Sequence, residues 1–287
     1  MEGDMKPILF AILAAVLYAL NSPLSKLLLQ DVPPTMMAAC LYLGAGLGLF
    51  FVGAVRKLSG TAVQEQPLTR AELLYTLGMI VLDIAAPIFL MVGLTSTTAE
   101  NASLLNNFEI VATSLIALFI FREQISRRLW AAIGLVTLSS LILSFENMAS
   151  LDFSAGSLFV LAACVCWGFE NNCTRMLSSK SPTEIVVIKG ICSGTGSFVI
   201  ALVMGEQIPQ VLYILGALLV GFVAYGLSIY FYIYAQRDLG AARTSAYYSV
   251  APFVGVFLSL LIFREIPGVN FWVALVIMAW GTWLASV

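Results

Sequence analysis

Apolar runs of about 20 residues recur along this whole chain and constrain its fold more than any other feature. A helix of about 20 apolar residues is long enough to cross the hydrocarbon core of a bilayer. Only 10% of the 287 residues are charged and 60% are hydrophobic, whereas soluble domains carry roughly 25% charged residues. A transmembrane β-barrel would show short alternating segments instead. The sequence therefore predicts an all-α polytopic membrane protein embedded in the lipid bilayer.

Ten transmembrane helices joined by short loops are predicted. The polar segment 145–156 separates the fifth helix from the sixth, so we divide the chain into residues 1–147 and 148–287. The ten predicted spans cover residues 8–29, 34–55, 71–93, 101–121, 128–145, 156–177, 183–204, 211–235, 241–262 and 270–286.

Basic residues set the expected orientation of these spans. Lys and Arg concentrate in the loops on one side, and cytoplasmic loops carry such an excess. The acidic N-terminal segment lacks the cationic stretch of a cleavable signal, so we expect the first span to stay in the membrane. The sequence predicts a multi-pass protein of the cell (inner or plasma) membrane with both termini in the cytoplasm.

Several classes of chemistry are disfavoured by composition. The chain has no histidine, which removes His-based triads and His-bound zinc or haem. Its five cysteines lie in apolar runs, and Cys164 and Cys166 would lie on different sides of one helix, so we interpret them as packing residues. The net charge is −2 with no basic tail, which gives no indication of nucleic-acid binding. We therefore expect no enzyme, no metal and no cofactor.

Sequence features of the first half return in the second half. "IFRE" occurs at 120–123 and at 262–265, and a Gly-x-x-x-Gly run, typical of close helix packing, falls in the second helix of each half. Each half has five helices, and because five is odd the second half enters the membrane inverted. Inverted repeats with matched polar interruptions are typical of secondary transporters, whose site lies between the repeats. The matched positions are Tyr18/Trp167, Asn21/Glu170, Lys26/Arg175, Pro33/Pro182, Gly44/Gly190 and Gly48/Gly194.

With these features the sequence resembles the drug/metabolite transporter superfamily, in its EamA-type branch. The resemblance is carried by the two five-helix halves, by "FRE" at the end of each fourth helix, and by "YALN" and "WGFE" in each first helix. It implies two inverted five-helix repeats around a central cavity lined by helices 1, 3, 4, 6, 8 and 9, and export or exchange of small metabolites. Family members usually carry Pro at the position of Ile110, which follows Glu109 here. They usually carry Asn at the position of Glu170. Both departures add acid to the expected cavity.

Three acids fall inside predicted spans: Asp83, Glu109 and Glu170. An ionisable group at a helix centre costs about 2.5–3.5 kcal/mol on insertion scales, so such groups face a cavity or a partner. Burial also disfavours the charged form of a carboxylate. We hypothesise that Glu109 or Glu170 binds either a proton or a cationic substrate but not both, which would give antiport. Asp83 is a further candidate for proton coupling.

Structural roles remain open for two of these acids. Glu109 would share one helical face with Asn106 and Thr113, and an Asn or Tyr partner could hold it neutral. Glu170 shares its face with Trp167 and could instead clamp two helices together. The alternative partners of Glu170 are Arg175 and Asn21.

The third acid and two lysines also have structural interpretations. Asp83 lies four residues before Pro87, which should loosen the helix there, and Asp83 could bind the freed carbonyls through water or bond Tyr225. Lys26 and Lys189 are expected to snorkel, extending their ammonium groups to the lipid headgroups.

A Trp beside a carboxylate suits an organic cation, through cation–π contact and charge pairing. We therefore expect a secondary transporter, an exporter or exchanger of a small amine or organic-cation metabolite, with the proton as candidate coupling ion. An exporter of amino acids or other zwitterions is the alternative, and a cation channel is the alternative of another class; a homodimer stays open. The residues predicted to bind the small-molecule substrate are Tyr18, Asn21, Asn106, Glu109, Trp167, Glu170, Tyr225 and Tyr248.

Overall fold

A computed structural model describes residues 2–60, 65–121, 126–147, 152–239, 244 and 247–286. Nearly all of them lie in helices. Between the two halves, two short strands, β1 (Phe145–Asn147) and β2 (Asp152–Phe153), pair antiparallel. The helices are α1 Glu2–Ala19, α2 Asn21–Leu28, α3 Pro34–Leu58, α4 Leu73–Thr95, α5 Ala99–Leu105, α6 Phe108–Phe121, α7 Arg127–Ser144, α8 Ala155–Leu177, α9 Pro182–Val203, α10 Val211–Val220, α11 Ser228–Leu239, α12 Ala251–Phe263 and α13 Val269–Ser286.

These helices form the ten predicted spans, which confirms the all-helical fold. Three spans are built from two helices each: α1 with α2, α5 with α6, and α10 with α11, the last pair joined by the π-helical turn Gly221–Leu227. Seven helical stretches of the described residues are long and apolar enough to cross a membrane. The ninth span was predicted to begin at residue 241; residues 240–243, 245 and 246 lie outside the described part, and α12 forms its remainder.

Local sequence signals explain where the helices begin. Pro34 and Pro182 occupy the first positions of α3 and α9, where a missing N–H costs nothing. The Ser154 hydroxyl accepts a hydrogen bond from the backbone of Ser157 at the start of α8, and Ser181 does the same at the start of α9. Such N-caps satisfy backbone donors that the helix leaves free. These helices therefore begin close to their predicted positions.

Helix packing is symmetric when the two halves are exchanged. The second and seventh spans, α3 and α9, pack on each other, as do the fifth and tenth, α7 and α13. The third span (α4) packs on the sixth (α8). In the same way, the eighth span (α11) packs on the first (α1). Likewise α6 packs on α8 as α12 packs on α1. Since each half contributes five spans, equivalent helices cross the membrane in opposite directions.

Two carboxylates cap these central helices reciprocally. Glu206, which follows α9, accepts from the backbone N–H groups of Thr35 (3.1 Å) and Met36 (2.7 Å) at the start of α3. Glu65, which follows α3, accepts from the Ser181 hydroxyl (2.6 Å) before α9. The two caps lie at opposite ends of the bundle, as inverted halves require. We call the end with Glu65, where α3, α8 and α11 finish, the basic face, and the other end the opposite face.

Glycines allow the central helices to approach closely. A Cβ atom at Gly190 would lie 2.3 Å from the backbone N of Gly46, and one at Gly44 would lie 2.0 Å from the Leu218 carbonyl oxygen. Both Gly-x-x-x-Gly runs are therefore packing surfaces, as predicted, although they pack on non-equivalent partners.

The structure differs from the sequence analysis in the continuity of three spans. The first span breaks at Leu20, and the fourth breaks at the turn Asn106–Asn107. By contrast, α4 continues through Pro87, where we expected a looser helix. The described part of the fourth span ends at Phe121, so Arg122 and Glu123 of the first "IFRE" lie outside it.

Candidate functional site

Two of the three predicted acids share one buried base, Lys189. Its Nζ atom lies 3.1 Å from Asp83 Oδ2 and 2.9 Å from Glu170 Oε1. The Tyr42 hydroxyl donates to Asp83 Oδ1 (2.7 Å), and the Thr174 hydroxyl donates to Glu170. We call Asp83, Lys189 and Glu170 the ion triad; with all three ionised it carries a net charge of −1. It joins α4, α8 and α9.

The ion triad corrects several expectations. Lys189 does not snorkel to the headgroups: it is only 5% exposed, because two carboxylates hold it inside the bundle. Glu170 takes Lys189 as its base rather than bonding Asn21, and Asp83 bonds Tyr42 rather than Tyr225. Arg175, the other suggested partner of Glu170, is exposed near the end of α8. Nothing in the sequence indicated that Tyr42 would contribute.

Glu109 has neutral hydrogen-bond partners. Asn171 Nδ2 donates to Glu109 Oε1 (2.5 Å) and lies 3.4 Å from Thr113 Oγ1. No Lys or Arg of the described residues forms an ion pair with Glu109. Its side chain is half-buried. Of the three predicted acids, Glu109 is thus the one without a basic partner among the described residues. Its partner Asn171, which follows Glu170 in sequence, was not predicted from the sequence.

The predicted shared face of Asn106, Glu109 and Thr113 holds only in part. Thr113 and Glu109 share the amide of Asn171. Asn106 lies across the turn that ends α5 and is buried. The interruption of the span therefore separates Asn106 from the other two residues.

Four predicted aromatic residues come together between the two halves. The Tyr18 ring lies 5.9 Å from the Tyr225 ring, 5.9 Å from Tyr248 and 6.4 Å from Trp167. We call these four residues the aromatic cluster. Glu109 is close enough for electrostatic interaction with the three tyrosines. The structure thus places one carboxylate within electrostatic range of three of the four rings.

Asn21 occupies the position in the first half that Glu170 occupies in the second. Its Nδ2 donates to the Tyr225 hydroxyl (3.1 Å), and the Ser25 hydroxyl donates to its Oδ1 (3.0 Å). Tyr225 in turn matches Asp83 in the repeat. A neutral Asn–Tyr hydrogen bond in one half therefore corresponds to the charged triad in the other.

A pocket of about 520 Å³ lies at the opposite face, away from the aromatic cluster. Lys26 lies at this pocket, but its ammonium donates to the carbonyl oxygens of Leu94 and Thr97, the latter at 2.7 Å. Lys26 therefore binds the carbonyl end of α4 and the segment after it, which differs from the expected snorkelling. The predicted cavity was central, whereas this pocket lies at the span ends. Its lining includes Glu100, Asn101, Leu143, Phe145, Phe263 and Glu265.

Two remaining expectations concern metals and a further base. Within the described residues, no group of three or more Cys, Asp or Glu side chains could hold a metal ion. Arg243, a basic residue that could bind a substrate carboxylate if it faced the cavity, lies outside the described residues.

Comparisons with known proteins cover most of the chain. The model of the EamA-like transporter family matches residues 5–145 and again residues 154–287. An uncharacterized transporter of Methanothermobacter thermautotrophicus (strain Delta H) is 27% identical over 277 residues, covering 88% of this chain and 78% of that protein. The uncharacterized transporter YyaM of Bacillus subtilis (strain 168) is 20% identical over 180 residues, covering 60% of this chain and 59% of YyaM.

One solved crystal structure has the same fold. It superimposes with a TM-score of 0.70 at 15% identity, covering 98% of this chain and 96% of the other. The two family matches, the ten spans and the exchange-symmetric packing agree with one another. This integral membrane protein therefore belongs to the EamA-like transporter family.

Proposed function

We propose that this transporter is a secondary active carrier that exchanges a small amine or organic cation for protons. The observation that carries the proposal is the position of Glu109, a half-buried carboxylate with neutral partners beside the aromatic cluster. An ammonium group gains from a carboxylate through charge and from aromatic faces through cation–π attraction. The substrate site then comprises Glu109 and the aromatic cluster, with Asn21 beside it through its hydrogen bond to Tyr225.

Exchange follows from the presence of one unpaired carboxylate. With no base beside it among the described residues, Glu109 holds a proton when no substrate is bound. A bound organic cation favours the ionised form instead, so that its binding releases the proton. Because one carboxylate cannot hold both, each arriving cation displaces a proton. Inverted halves then allow the loaded carrier to open to either side in turn.

The ion triad supports a cation rather than a zwitterion as the substrate. Lys189 would be the natural partner of a substrate carboxylate, but Asp83 and Glu170 already hold its ammonium. The two acids are likewise neutralised in part by Lys189, which leaves Glu109 as the primary candidate for proton coupling. We assign the ion triad a positioning role between α4, α8 and α9.

The proposal is tested in proteoliposomes that contain a pH-sensitive dye. Permanently charged quaternary ammonium ions are added outside, because neutral amines carry protons across lipid without a protein. For a transported ion we expect saturable alkalinisation of the interior. Glu109→Gln should abolish this signal and Glu109→Asp should retain part of it. Asp238→Asn, which alters an exposed acid, is the matched control and should transport normally.

Two outcomes would contradict the proposal. Proton-coupled exchange that survives in Glu109→Gln would remove Glu109 from the mechanism. Cation flux that does not saturate and moves no protons would indicate a channel, the alternative of another class.

A further inference from the structure

A line of buried polar side chains extends along the first part of the fourth span, from the pocket towards Glu109. Glu100, Ser103, Asn106 and Asn107 are 3%, 3%, 7% and 2% exposed. In each of them one polar atom finds no hydrogen-bond partner among the described residues: Oε1, Oγ, Oδ1 and Nδ2, respectively. Buried polar groups are almost always hydrogen-bonded, because leaving one unpaired costs free energy. Four such atoms within eight residues are therefore available to bind a ligand.

Glu100 is the charged member of this line and lies at the pocket. Lys26 is close enough for electrostatic interaction with Glu100, but its ammonium is committed to the carbonyl oxygens of Leu94 and Thr97. No base of the described residues forms an ion pair with Glu100. A buried carboxylate without a paired cation is costly. Glu100 is therefore poised to pair with a cation that enters the pocket.

The pocket wall indicates what kind of cation fits. Leu143, Phe145 and Phe263 provide an apolar lining beside Glu100, and Asn101 provides an amide. A bare metal ion would gain nothing from the hydrocarbon wall. An ammonium group attached to an alkyl or aryl body matches both the carboxylate and the wall.

The polar line lies where the two halves meet. A Cβ atom added to Gly255 of α12 would lie 2.9 Å from the Ser103 hydroxyl oxygen, so that α12 approaches α5 closely at this point. Beyond Ser103 the line continues into the turn Asn106–Asn107, which precedes Glu109. These polar residues thus lie between the pocket and Glu109 along the chain.

We propose that Glu100 anchors a second cation site in this pocket, which takes the ammonium group of an alkyl- or arylammonium ion on its way to or from Glu109. Ser103 and Asn107 are positioned as the next polar contacts along the route. The onward step to Glu109 rests on the proposed function; binding at Glu100 does not.

The site is tested by protection of a cysteine placed in the pocket. Asn101→Cys is introduced into a full-length variant whose five native cysteines are replaced, and its reaction with a neutral maleimide is timed in detergent. n-Butylammonium at constant ionic strength should slow the reaction in a saturable way, whereas n-butanol should not. Glu100→Gln should raise the half-protecting concentration about tenfold, the effect of losing one charge-assisted hydrogen bond. Glu265→Gln, at the same pocket but exposed, is the matched control and should change it less than about threefold.

Further variants keep the test decisive. Ser103→Ala retains the charge and should raise the half-protecting concentration severalfold, which provides a test if Glu100→Gln does not fold. Unchanged protection in Glu100→Gln, an equal effect in Glu265→Gln, or protection by n-butanol would overturn the second site. Glu109→Gln should retain protection of the cysteine. If Glu109→Gln loses exchange while Glu100→Gln leaves the protection unchanged, the proposed function stands and this inference is refuted. If Glu100→Gln weakens the protection while Glu109→Gln keeps exchange, this inference stands and the proposed function is refuted.

Discussion

At the scale of single residues, Lys189 is the side chain on which the charged centre depends. It is buried between Asp83 and Glu170, so that removing its charge would leave two buried carboxylates facing each other. We expect Lys189→Gln to lower the free energy of unfolding by about 3–5 kcal/mol, as for other broken buried ion pairs. Thermal unfolding of the purified variant in detergent measures the loss.

A neutral triple variant separates the charge effect from lost packing. Asp83→Asn, Glu170→Gln and Lys189→Gln together remove all three charges with modest changes in side-chain size, and the Lys189→Gln change is common to the single and the triple variant. We expect the triple variant to recover most of the stability that Lys189→Gln alone loses, because no unpaired charge stays buried. A single variant as stable as the natural chain, or a triple variant no better than the single, would contradict this account.

Sequence reasoning identified the acids of the centre but could not pair them. Asp83, Glu109 and Glu170 are recognisable because an acid inside an apolar run demands a partner. Which partner each acid takes depends on how α4, α8 and α9 pack, and no short sequence segment predicts that packing. The same limit explains Tyr42, a residue of ordinary appearance that bonds Asp83. Glu100 lies one residue before the predicted start of its span, so the same signal did not extend to it.

At the scale of helices, the contact between α3 and α9 depends on Gly190. An added Cβ would lie 2.3 Å from the N atom and 2.5 Å from the Cα atom of Gly46, which are backbone atoms that cannot turn aside. We expect Gly190→Ala to destabilise the protein by about 1–3 kcal/mol, the usual effect of overpacking. The comparison of unfolding temperatures with Gly134→Ala checks this, because nothing lies within 4 Å of a Cβ at Gly134. Equal unfolding temperatures for the two variants would show that α3 and α9 can separate freely.

Helix breaks were harder to predict than helix existence. Ten apolar runs are visible because length and hydrophobicity alone define a span. The break at Asn106–Asn107 had a local signal, since asparagine side chains compete with the helical backbone for hydrogen bonds. That signal was outweighed by the apolar residues on both sides. The continuity of α4 through Pro87 shows the opposite case, in which packing within the bundle overrides a local helix breaker.

At the scale of the whole molecule, inversion could be inferred from the sequence because an odd number of helices per half leaves no other arrangement. The reciprocal caps by Glu65 and Glu206 agree with that inference. The position of the pocket could not be inferred, since two inverted halves make the two faces equivalent in pattern. Side-chain contacts distinguish the two faces. At the basic face, Glu65 also accepts hydrogen bonds from Tyr234 (2.8 Å) and Arg237 (3.0 Å), and these bonds connect the end of α11 to the start of α9.

The basic face should point into the cytoplasm, because Lys and Arg flanking the spans are retained there. This face gathers Arg56, Lys180 and Arg237, whereas the opposite face has Lys26 and Arg264. Leu58 and Ile266 are 89% and 91% exposed at the two faces and suit single-cysteine labelling. In intact cells, a membrane-impermeant maleimide should label Ile266→Cys, and Leu58→Cys only after permeabilisation. The reverse labelling pattern would place both termini outside. Labelling of both variants in intact cells would mean that the chain inserts in two orientations. Proton-driven exchange could then not be assigned a single direction.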